Sequence, residues 1–149
     1  MILSVLMKTD WNTKLIDNYP LAFRNNPDWL YKNMECSSGW MTILERLFDS
    51  IESYLHTLPK TSKVRKNLKF MQIKEKFAGL RVYVEGADEH IFNLIEKTEQ
   101  DSQEICELCG LGGSTCRSGN ARFRTLCPDC MTIKGYQPCK KEDGFDGGE

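Results

Sequence analysis

Residues 104–134 read EICELCGLGGSTCRSGNARFRTLCPDCMTIK and hold two Cys-x-x-Cys pairs, Cys106/Cys109 and Cys127/Cys130, separated by seventeen residues. Four thiols at that spacing can converge on one tetrahedral zinc ion, for which the thiolate is a favoured ligand. Gly110, directly after the second cysteine, lets the backbone turn with positive φ, so that amides point at the thiolates as in a zinc knuckle. Residues 121–126, ARFRTL, alternate as a strand does, and Pro128 inside the second pair suits the first turn of a helix. Knuckle, hairpin and ligands at a helix start predict a treble-clef module; a zinc ribbon with a second knuckle is the competing form. The cofactor expected is one structural Zn2+ on Cys106, Cys109, Cys127 and Cys130, since four protein ligands leave no open position for water. Cys36, Cys116 and Cys139 are then spare, and Cys116, in the same loop, is the one that could replace a ligand. A redox dithiol is disfavoured, because such motifs sit in a βαβ context that is lacking here.

Working outward, residues 87–102 predict a helix with Ile91, Leu94, Ile95 and Thr98 inward and Glu96, Lys97, Glu99 and Gln100 outward. Before it, Leu68, Phe70 and Gln72 alternate with Lys69, Met71 and Ile73, and Leu80, Val82 and Val84 with Arg81, Tyr83 and Glu85. That period predicts an antiparallel hairpin over about 68–85 with Phe77-Ala78-Gly79 as its connection. The clearest helix is 39–58, where Trp40, Ile43, Leu44, Leu47, Phe48, Ile51, Tyr54, Leu55 and Leu58 form one stripe; Ser37 or Ser38 would cap it and Pro59 ends it. Residues 9–19 predict a short helix capped by Thr9 or Asp10, and the Asn- and Pro-rich 20–37 an irregular arm pinned by Phe23, Trp29 and Tyr31. The expected fold class is α+β, a small antiparallel sheet packed with two or three helices. Residues 1–103 form this domain, 104–141 the zinc module, and 142–149 an acidic tail with too little apolar surface to order.

The net charge of −1 conceals segregation: residues 60–81 carry eight basic and one acidic side chain, and 142–149 four acidic and none basic. Lys63, Arg65, Lys66, Lys69, Lys74, Lys76 and Arg81, interleaved with Phe70, Phe77 and Tyr83, could contact phosphates and stack bases, with Arg122 and Arg124 adding to them. The plainer alternative makes these lysines the solvated face of the sheet, where they also block edge pairing, and the arginines neutralisers of a four-thiolate zinc. Glu75, the sole acid of the block, would pin the hairpin by pairing with Arg81 or Lys76. No apolar run reaches the length of a membrane span, the apolar start meets Lys8 and Asp10 too soon for a signal peptide, and ligand-spaced cysteines fit a reducing compartment, so cytoplasm is expected. His56 and His90 read as surface residues, and residues 110–126 contain no histidine to activate water in the manner of HNH-type nucleases.

The ordered series YPLAF (19–23), SGW (38–40), QIKEKFAGLRVYV (72–84), ICELCG (105–110) and TLCPDC (125–130) resembles a widespread family of small uncharacterised bacterial and phage or prophage proteins. Their pattern runs like KEKFGxLRFY ahead of CExCG…TLCxxC. This chain departs from it with Ala78 in place of glycine and Val82 in place of an aromatic. The resemblance implies a phage or mobile-element origin and no particular activity. The function expected is a non-enzymatic, zinc-stabilised binding protein, phage or prophage associated and acting on a host protein or nucleic-acid system in a bacterial cytoplasm, with a host or phage protein as partner, no membrane and no small-molecule substrate. DNA or RNA binding through 60–81 and Arg122/Arg124 is the alternative, and a degenerate nuclease-like enzyme ranks third.

Overall fold

The computed structural model describes residues 11–26 and 34–139. Thr9, Asp10, Trp29, Tyr31 and the tail 142–149 lie outside them. The elements in order are α1 (11–17), β1 (Met34–Glu35), a 3-10 turn (Ser38–Trp40), α2 (Met41–Thr57), α3 (Lys63–Asn67), β2 (Lys69–Lys76), β3 (Gly79–Glu85), α4 (Glu89–Ser102), β4 (Ser114–Arg117), β5 (Phe123–Leu126), α5 (Pro128–Lys134) and β6 (Gln137–Pro138). The class is α+β.

The stripe on α2 does what its period requires. Ile43, Leu44, Leu47, Phe48, Ile51 and Leu55 are all buried, and Trp40 is buried in the turn that leads in. No serine hydroxyl caps this start, contrary to expectation; the 3-10 turn supplies the entry instead. At the other end Leu58 is extended, as the residue before Pro59 must be, and Arg65 Nη1 donates to its carbonyl at 2.7 Å. The core beneath is aromatic: Phe23 stacks on Phe70 at 4.4 Å, and Phe48 meets them edge-on at 4.9 and 5.5 Å.

The first sheet has the order β1-β2-β3 and is mixed, because β1 runs parallel to β2 with Met34 opposite Ile73. A two-residue strand inside an Asn- and Pro-rich arm carries no periodic signal, and the purely antiparallel expectation missed it. The β2–β3 hairpin is present, but strict alternation along β2 fails. A bulge between Phe70 and Gln72 inserts Met71, so Phe70 and Ile73, three residues apart, both reach the core. The connection is Phe77-Ala78, both with positive φ (50° and 67°), the conformation of a type I′ turn usually given to Asn-Gly. Ala78 holds it through two outside partners. Its N–H donates to Glu75 Oε2 at 2.9 Å, and its carbonyl accepts from Thr125 Oγ1 at 2.5 Å.

The arm residues are tied by side chains rather than by period. Glu52 accepts the amides of Leu21 and Ala22, while Asn26 exchanges two bonds with the backbone of Phe70. The outer edge of β3 is covered by α4: Ser102 Oγ accepts from Leu80 N and Glu99 Oε2 from Val82 N, both at 2.9 Å. Glu99 was expected to face outward, and this edge explains why it does not. Asp88 caps α4 on the amide of Ile91 and accepts the hydroxyl of Tyr54 from α2, joining the two helices. Burial pushes the Asp88 carboxyl up, but these two hydrogen bonds hold it below its ordinary value.

Candidate metal centre

Two turns of chain bring the four cysteines together. In the first, Gly110 at φ +82° sends its N–H back to the Cys106 carbonyl at 2.9 Å, closing a knuckle around Cys106 and Cys109. Antiparallel β4 and β5 follow, and β6 adds to the far side of β4. Cys127 then stands at the N-cap of α5, with Pro128 behind it and Cys130 in the first turn; Cys127 Sγ accepts from Cys130 N at 3.4 Å. Knuckle, hairpin and helix in this order form a treble-clef arrangement, and α5 decides against the second knuckle of a ribbon.

The Sγ atoms of Cys106, Cys109, Cys127 and Cys130 all lie within 4.8 Å of one another, and those of Cys109 and Cys127 are 3.5 Å apart. A tetrahedral zinc with Zn–S bonds of about 2.3 Å needs sulfurs about 3.8 Å apart, so the geometry fits the ion. Burial would raise the Cys106 thiol, but the amides of Cys109, Cys127 and Leu108 bring it down to about 7. The neighbouring Cys127 thiol pushes Cys130 up to about 12. Thiols this close do not all ionise unaided, and a dication is what lets them do so.

Cys116 is not among them. It is buried on β4, its Sγ donates to the Arg124 carbonyl at 3.2 Å, and burial raises it to about 11. Cys36 lies outside the module, where burial, then Glu107 and Glu75, push its thiol up to about 12, which leaves it inert.

The module is seated on the main fold at the SGW segment. Gly39 N donates to the Glu107 carbonyl and Trp40 Nε1 to that of Ile105, both at 2.9 Å. A Cβ on Gly39 would lie 2.3 Å from the Glu107 carbonyl carbon, so any side chain here would push the knuckle off its seat. Glu107 is the functional-looking residue that sequence reasoning passed over. Its side chain is buried and pairs with Arg124 Nε. The only signal for it was an acid between two ligands.

The basic residues separate into groups. Lys63, Arg65 and Lys66 sit on α3, a helix and not part of the hairpin, which starts at Ser62, whose hydroxyl accepts from Arg65 N. Lys69, Lys74 and Lys76 are on β2 and Arg81 on β3; Lys74 lies over the Tyr83 ring and Lys76 over Phe77. Arg124 is held by Glu107 and lies over Tyr136, whereas Arg122 is exposed. His56 pairs with Glu52 and His90 stacks on Tyr54. Among the described residues no helix is long and apolar enough to cross a membrane. Comparisons with known protein families, curated proteins and solved structures give no match.

Proposed function

We propose that this chain is a non-enzymatic binding protein whose zinc holds a recognition surface in shape. The observation that carries the reading is the convergence of four cysteine sulfurs on one centre, with no other candidate ligand beside them among the described residues. Four thiolates fill the coordination sphere, which leaves no place for a metal-activated nucleophile. The resemblance of its ordered motifs to small bacterial and phage proteins supports a phage or prophage association and action on a host system in the bacterial cytoplasm. Metal analysis of a metal-replete preparation tests the first half. One zinc per chain is expected, and less than about half an equivalent would sink the site. Pull-down from a bacterial host identifies the partner.

One observation favours a second reading, direct nucleic-acid binding. The outer face of the hairpin pairs lysines with exposed rings, Lys74 with Tyr83 at 5.7 Å and Lys76 with Phe77 at 5.8 Å. Charges on phosphates and rings on bases are what a single-strand surface uses. A salt series separates the readings: phosphate contacts make log affinity fall steeply with log salt, and no retardation of any nucleic acid at low salt excludes this one.

A further inference from the structure

Between the end of β1 and the zinc module lies a cavity of about 400 Å³, whose wall includes Ser37, Glu75, Glu107, Arg122 and Arg124. A second, of about 210 Å³, shares Glu75 and Arg122 with it and adds Phe77 and Phe123. Together they make a cleft in the size range of small-ligand sites. Glu107 is only 3% exposed; its Oε1 takes Arg124, and its Oε2 is buried with no hydrogen-bond partner. A buried carboxylate oxygen left unpaired costs the full desolvation of that atom, so it marks a place where a donor belongs. Arg124 is occupied by Glu107, but the exposed guanidinium of Arg122 is engaged by none of the described residues; its bonds are those of its backbone, whose N–H donates to Ser118 Oγ and whose carbonyl accepts from Ser118 N. Phe77, more than half exposed at 54%, has nothing in the fold that requires it on the surface.

We propose that this cleft is a nucleotide subsite, in which a base edge donates to Glu107 Oε2, the ring stacks on Phe77 or Phe123, and a phosphate meets Arg122. The three wall chemistries select this class together. A lone amine would satisfy the carboxylates but leave the arginine and the rings idle; an inorganic anion would use only the arginine. Two carboxylates in one lining, those of Glu75 and Glu107, favour an edge with adjacent donors. Guanine offers N1–H beside N2–H, whereas uracil offers one N–H between two carbonyls that the carboxylates would repel. The nucleotide can be free or part of a single strand. This inference rests on the binding-protein reading and on its nucleic-acid form.

The test titrates the zinc-loaded full chain with GMP, with UMP, and with an eight-nucleotide single strand of uridines carrying one central guanosine. Guanine should be preferred over uracil by about tenfold or more. Arg122→Met should weaken binding about tenfold and Phe77→Ala about fivefold or more, with zinc content and circular dichroism unchanged. Glu107→Gln, which converts an acceptor to a donor without changing shape, should abolish the guanine preference. If that variant does not fold, Arg122→Met and Phe77→Ala carry the test. GMP and the strand binding alike assigns a free nucleotide; binding of the strand alone assigns a base within it. Strand binding that none of the three variants alters overturns the subsite while nucleic-acid binding stands. No binding to any of the probes by folded, zinc-loaded protein overturns the proposal and leaves the cleft to a protein segment.

Discussion

The buried residues around α2 and those of the module after α4 differ in kind. The first cluster is a run of large apolar side chains, Trp40, Phe48, Phe70, Leu44 and Ile51 among them, contributed by α1, α2, α4 and both sides of the hairpin. The second is small, and of its five buried members, Cys106, Cys116, Cys127, Leu126 and Met131, three are cysteines. Burying a Phe or Leu contributes about 1.5–3 kcal/mol, so the first cluster holds itself together by exclusion of water. Two large apolar side chains cannot offset the entropy of ordering some thirty-five residues, so the module needs a further source of stability, which a metal on its four cysteines and the seat against Gly39 and Trp40 would supply. On the zinc reading, one part of the chain folds by packing and the other by coordination.

The largest expected break in this comparison comes from Cys127→Ser, which removes a thiolate ligand while leaving a hydroxyl that can still cap α5. Structural zinc contributes on the order of 10 kcal/mol in small modules, so residues 104–139 should lose their ordered chemical shifts while 40–102 keep theirs. An intact, zinc-loaded variant would count against the ligand set. Phe48→Ala should have the opposite signature. It removes the ring against which Phe23 and Phe70 pack, costs about 3–5 kcal/mol in denaturant titration of the α2 domain, and leaves zinc affinity nearly unchanged.

Gly39→Ala tests the seam. Its Cβ must push the Glu107 backbone away, costing about 1–3 kcal/mol and raising hydrogen exchange at the Gly39 amide and the Trp40 indole without loss of zinc. Exchange at wild-type rates there would show that the seam does not couple the two parts. The smallest effect sharpens the account of the main domain alone. Because the Asp88 carboxyl is depressed in the folded state, its contribution is present above the unfolded carboxylate range and is lost as pH falls through its folded value. Asp88→Asn keeps a capping side chain but should flatten the acid limb of stability against pH. An unchanged limb would assign the acid sensitivity elsewhere.

The sequence carried α2, the hairpin, α4 and the four cysteines because each rests on local signals: a period, a turn, a spacing. The pieces it hid are those set by contacts between distant segments. The bulge at Met71 reverses the alternation that would have placed Gln72 inward, and nothing local in KFMQI announces it. The parallel pairing of β1 depends on two residues meeting β2 across a long loop. Asn25 and Asn26 read as loop composition, yet their amides bond the backbone of Lys66, Leu68 and Phe70. At the candidate metal centre, the four cysteines follow from spacing, but Glu107 and Gly39 acquire their importance only once the knuckle docks. Ala78 departs from the glycine of the pattern the chain resembles and still adopts a left-handed φ, because Glu75 and Thr125 hold both of its backbone groups.

The central claim, packing on one side and coordination on the other, is tested most directly by hydrogen exchange across the chain before and after zinc is removed with a chelator. The account predicts that protection disappears from β4, β5 and α5, while the amides of α2, β2, β3 and α4 remain protected, and that it returns with one equivalent of zinc. Loss of protection from both parts together, or none from the module, would contradict it.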